Sequence, residues 1–198
     1  MRLLQSLAAR LDRGRPRSGL RPADLAITLA HESERERLTR DALLKLLSEY
    51  DLTPWLATTR VVIDETAVPH SHPVLTLHAR HVTAPDLLLS TFVHENIHWL
   101  LRPKLGAVSK AMAELRNLYP EIAVAPPAGA GDRQSSYLHL IVNYLELVAM
   151  RKLAGHDRAG AVFDVWRKHH YTQLYEIVLG DEFLVASVVE RNGLLLPG

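Results

Sequence analysis

The sequence predicts an α+β domain, mostly helical, with a small antiparallel sheet ahead of its two principal helices. Three observations carry that prediction. Residues 86–101 and 136–154 are apolar on nearly every side except for a narrow polar stripe, as helices buried on most faces are. Residues 59–65 (TRVVIDE) and 74–81 (VLTLHARH) are β-branched or alternating, and the turn-prone stretch between them holds Pro69 and Pro73, which reads as an antiparallel strand pair. The chain has 198 residues, 47% of them hydrophobic, with no repeat and no low-complexity tract, which suits one domain with a real core.

Taken in order, residues 1–22 read as a basic arm. Arg2, Arg10, Arg13, Arg15, Arg17 and Arg21 face a single acid, Asp12, and a short helical spacing of Leu3, Leu4, Leu7 and Leu11 is broken by the Gly14–Gly19 stretch. The domain proper is expected over residues 23–198. It starts with a helix over about 23–30, an alternating-charge run at 31–37 that reads as a solvated face, and a helix over about 40–50 with Leu43, Leu46 and Leu47 inward. The two strands follow. Thr83 with Asp86 three residues later fits a capping box for a helix over about 84–101, where Pro85 is tolerated in the first turn. Further helices are expected at about 104–118, 136–154, 161–169, 172–179 and 181–191, with Gly155, Gly180 and Asn192-Gly193 as stops and 120–135 as a loop.

Composition narrows the chemistry. With 23 Lys and Arg against 22 Asp and Glu, the net charge of +1 gives no field suited to nucleic acid or a membrane surface. The absence of cysteine excludes disulfides, Cys-ligated zinc fingers, iron–sulfur sites and thiol nucleophiles. No window approaches the run of about 18 apolar residues that a membrane span needs, and the arm lacks the apolar core of a secretory signal, so a cytoplasmic protein is expected. What remains is chemistry by His, carboxylates, hydroxyls and amides.

Such residues stand on the polar stripes. At about 100° per residue, Thr91, His94, Glu95 and His98 fall along one line of the first buried helix. The spelling is His94-Glu95-Asn96-Ile97-His98, an HExxH. Two imidazoles one turn apart reach a single metal ion, and the adjacent carboxylate can take a proton from water at the open position. On the second buried helix the polar interior residues are His139, Asn143 and Glu146, which also share a face. Burying either stripe unpartnered would cost several kcal/mol, so the two most easily face each other across a cation. Imidazole and carboxylate donors suit one Zn2+.

The run from Thr91 to Leu100 resembles the extended active-site signature of the zincin metallopeptidases. Leu101 and Lys104 stand where the metzincin pattern has glycine and a third histidine, and the peptide deformylases take a cysteine ligand that this chain lacks. The resemblance is to the gluzincins, whose third ligand is a Glu on a later helix. It implies Glu146 as third metal ligand beside His94 and His98, with His139 as the competitor, in a minimal gluzincin-like fold. Gluzincins commonly have an acid four residues after that Glu, where Met150 stands here. The resemblance further implies Glu95 as general base and a later Tyr or His stabilising the oxyanion, for which Tyr171 and the neighbouring His170 are the candidates. The substrate would be a peptide or protein, held along an edge strand at residues 74–80. Asn143 is expected to back a ligand or face the substrate. The competing expectation is a metal-binding domain of the same kind with a regulatory role and no proteolysis.

Overall fold

The computed structural model describes residues 20–196, so the helix expected in the first dozen residues of the arm lies outside the described residues. The sheet comes first and is parallel. β1 is Ala26–Leu29, β2 is Arg60–Ile63 and β3 is Leu75–Leu77, in the order β1-β2-β3, with Ile27 beside Val61 and Val62 beside Thr76. Two expectations are thereby corrected. Residues 26–29 are a strand rather than part of a helix, because four residues are too few to show a period. The stretch with Pro69 and Pro73 is a return crossover rather than a hairpin turn, so β3 enters alongside β2 in the same direction.

Between β1 and β2 runs α1, Glu34–Glu49, which makes the first half of the domain a βαβ unit. Ser33 caps it by accepting the Glu36 N–H at 3.2 Å. Glu36, expected on a solvated face, is fully buried: its carboxylate accepts the N–H of His31 at 2.8 Å and that of Glu65 at 3.1 Å. It ties the exit of β1 to the exit of β2.

The helical half follows β3. α2 (Pro85–Leu101) packs on β3, on α1 and above all on α4 (Arg133–Ala154), which also contacts α3 (Leu105–Leu118), α5 (His156–His169), α6 (Thr172–Gly180) and α7 (Glu182–Arg191). α4 is therefore the axis of the core, and its Tyr137, Leu140, Ile141 and Met150 are buried together with Leu89, Phe92, Val93 and Ile97 of α2. Its start lies earlier than expected because Asp132 caps it, accepting the Ser135 N–H at 2.8 Å. It stops at Gly155, whose φ of +85° suits glycine, and α5 restarts at once. The capping box expected of Thr83 and Asp86 does not form. Ala84 holds the cap position, and Asp86 instead pairs with Arg158 of α5. Among the described residues no helix is long and apolar enough to cross a membrane.

Candidate metal centre

α2 places His94, Glu95 and His98 on one wall of a cavity of about 530 Å3, and α4 places His139 on the wall facing them. One nitrogen from each of His94, His98 and His139 lies within 4.8 Å of the other two. The ring centroids are 5.1 Å apart for His94 and His98, 5.1 Å for His98 and His139, and 5.5 Å for His94 and His139. Three imidazoles from two helices thus converge on one point.

Hydrogen bonds orient two of these rings. His139 Nδ1 lies 2.7 Å from the Ser135 carbonyl, which can only accept, so this nitrogen carries the proton and Nε2 keeps its lone pair. His94 Nδ1 donates in the same way to a Glu146 carboxylate oxygen at 2.9 Å. Glu146, the expected third ligand, therefore stands behind His94 rather than inside the group of three. The same oxygen accepts from the Tyr175 hydroxyl at 2.9 Å, and the other accepts from Ser90, whose oxygen in turn accepts from Trp166 Nε1 at 2.9 Å.

The physical reason is the length of α4. His139 and Glu146 lie on one stripe but roughly 10 Å apart along the axis. Moving along α4 from His139 to Glu146 follows α2 backward from His98 to Ser90, so only one of the two can reach the level where His94 and His98 meet. Asn143, between them, is fully buried with neither amide atom partnered, and it does not line the cavity. Asn96, inside the motif, is structural: it accepts the Ala57 N–H at 3.0 Å and donates to the Phe92 carbonyl at 2.9 Å, fixing α2 to the loop before β2.

Electrostatics separate the groups. Burial pushes the Glu95 carboxyl up, against the lowering influence of His94 and His70 and with Glu146 adding to the rise. Burial holds His98 well below its ordinary value, and takes His139 down to about 3 with help from His94. Burial alone would lower His94 too, but the hydrogen bond and charge of Glu146 carry it up. Neutral imidazoles are the form that binds a metal.

Tyr171 and His170 reach the same cavity from the turn before α6. The Tyr171 ring is 4.4 Å from that of His139, and the His170 ring 3.7 Å from that of Tyr171. Tyr171 has φ of +49°, a left-handed conformation that non-glycine residues adopt at a cost, and neighbouring contacts enforce it. The loop at 120–132 supplies them: Pro127 accepts the Thr172 N–H at 2.9 Å, and Gln173 accepts the Ala123 N–H at 2.5 Å. That loop folds tightly on itself at Gly129, where a Cβ would collide with the Ala123 carbonyl oxygen. It ties down Thr172 and Gln173, the two residues that follow Tyr171. Burial, then Glu95 and Glu146, push the Tyr171 phenol up to about 12, so it stays protonated and able to donate.

The expected substrate edge is covered. The outward N–H and C=O of β3 belong to Thr76, and both are bonded to His70, at 2.8 and 3.1 Å. Val68, Pro69, His70 and Ser71 line the cavity in its place. The indole of Trp99 holds this segment by donating to the Ser71 carbonyl at 2.7 Å, while His72 stacks on its face. Sequence reasoning missed Ser90 and the part played by His70. The signal for Ser90 was its place one turn before His94 on a helix otherwise greasy there. Comparison with protein-family models, with curated proteins and with solved structures finds no match to the chain.

Proposed function

We propose that the chain is a zinc-dependent hydrolase, a metallopeptidase of zincin type, in which His94, His98 and His139 hold the metal. The observation that carries this is the convergence of three imidazoles, from facing walls, and the buried Glu95 in one cavity. The donor set fits zinc: three nitrogen ligands, two with their Nδ1 protons committed elsewhere, leave a fourth position open. Bound there, zinc would supply Lewis acidity and lower the pKa of a coordinated water.

The chain's own residues do the rest. Glu95 takes the proton from the attacking water and returns it to the leaving amine. Tyr171, kept protonated, donates toward the oxygen on which negative charge develops, with the His170 ring tilted against it. Glu146 serves as the carboxylate that fixes the tautomer and orientation of His94, held in turn by Tyr175, Ser90 and Trp166. The peptide lies against the segment at 68–71.

Elemental analysis tests the ligand set. The parent should hold about one zinc per chain, and His139→Ala should lose it as fully as His94→Ala. Glu146→Gln should still bind, about 10 to 100-fold more weakly. Full zinc in His139→Ala with none in Glu146→Gln would return the third position to the glutamate. A parent that takes up no zinc would end the hydrolase reading.

A further inference from the structure

We infer that the substrate carries a carboxylate close to the bond to be cut, received by Arg80 with the ring N–H groups of His81 and His170. This rests on the zinc-hydrolase reading and names its substrate class. Arg80 lies on the short 3-10 turn Ala79–His81 that follows β3, where Ala79 is buried and the Arg80 N–H donates to His78 Nδ1 at 2.7 Å. The backbone under the guanidinium is therefore fixed. Arg80, His81 and His170 line the same cavity as the three imidazoles.

Their arrangement gives the cavity direction. From His139 the Tyr171 ring follows at 4.4 Å and the His170 ring 3.7 Å beyond it, and the charge of Arg80 is felt at both His170 and His81. His81 is itself set edge-on to Trp166 at 5.4 Å.

Arg80 also differs from the arginines that are held in ion pairs. Arg151, Arg158 and Arg191 each pair with an acid, Glu182, Asp86 and Glu114 respectively. None of the ion pairs among the described residues includes Arg80. The two carboxylates that line the cavity do not serve it: Glu146 is engaged by three side-chain donors, and Glu95 stands beside His94 on α2. Arg80 is exposed at the open side of the cavity and is the only arginine or lysine among the described residues that lines it, so this guanidinium without a counter-ion is a bidentate receptor for a carboxylate from outside. That carboxylate can be an Asp or Glu side chain of the substrate or a peptide's C-terminal carboxylate.

The test uses the zinc-loaded chain and peptide hydroxamates, whose hydroxamate grips the metal. Four probes combine Glu or Gln at the neighbouring position with a free or amidated C-terminus, and affinity is read by calorimetry. The parent should prefer a carboxylate-bearing probe over its neutral twin by about 10 to 100-fold, the worth of a charge-assisted hydrogen bond. Arg80→Gln should erase the preference while zinc content and the affinity of the doubly neutral probe stay as they were, and Arg80→Lys should restore part of it. Preference for Glu with an amidated end assigns a side-chain carboxylate, and preference for the free end assigns the C-terminus. Equal affinities for all four probes in the parent, or a preference that survives Arg80→Gln, overturn the inference. If no probe binds the zinc-loaded parent, the hydrolase reading fails and this inference falls with it.

Discussion

Glu95 and Glu146 are both buried carboxylates on facing helices of one cavity, exposed by 6% and 1%, yet they are built for opposite tasks. Glu146 is saturated: an imidazole, a phenol and a hydroxyl all donate to it. Glu95 faces the cavity with burial pushing its carboxyl up. The difference teaches that burial alone does not decide what a carboxylate does. The donors around it decide whether it is a fixed part of the fold or a group still free to take a proton.

The largest expected effect tests the role proposed for Glu95. Glu95→Gln should lower peptide turnover by about 100 to 10,000-fold while zinc content stays at the parent level. The metal-free fold should be no weaker for it, because the carboxylate that disappears is one that burial disfavours. Parent-like turnover would remove Glu95 from the chemistry. Glu146→Ala breaks the saturated half. It strands three donors in the interior, so thermal unfolding of the metal-free protein should show a loss of about 3 to 5 kcal/mol. A melting temperature unchanged in that variant would mean that the network contributes nothing to the fold.

Tyr175→Phe takes one donor away and leaves two. A hydrogen bond to a charged group contributes about 1.5 to 3 kcal/mol, so urea unfolding should place this variant between the parent and Glu146→Ala. Zinc affinity should fall by less than in Glu146→Gln, since His94 keeps its acceptor. A loss as large as that of Glu146→Ala would mean that the phenol alone holds the carboxylate in place.

The same contrast explains what could be read in the sequence. The helices α2 and α4, the stripe with His94, Glu95 and His98, and the placing of His139 and Glu146 on one face were all legible, because a period of 3.6 residues repeats several times over such lengths. Which of the latter two meets the motif was not, because it depends on how far α4 slides along α2, and that offset is set by packing. Ser90, one turn before His94, was the only local hint that a carboxylate would lie at that level. The sheet was legible only as two strands. Four residues at 26–29 cannot display a period, and the capping signal of Ser33 with Glu36, which would have started α1 at residue 34 and freed those four residues, went unread within a run of charges. Without β1 there was no βαβ unit to argue for a parallel sheet.

Glu36 supplies a third carboxylate that sharpens the comparison, since it is as buried as the other two but receives its donors from the backbone. Burial pushes its carboxyl up, and the N–H groups of His31 and Glu65, with the nearby His31 ring, more than reverse this and hold it below 4.5. A folded value lower than the unfolded one means that the ionised form is the one the fold prefers. Its contribution is therefore complete above about pH 4.5, the unfolded value, and is lost as the pH falls through the folded value. Glu36→Gln keeps the shape and removes the charge, so it should cost roughly 1 kcal/mol in urea unfolding at neutral pH. The gap between variant and parent should then close as the pH is lowered from neutral through the folded value. A gap that stays constant across that range would show that the charge is irrelevant and that the shape of the side chain alone holds β1, α1 and β2 together.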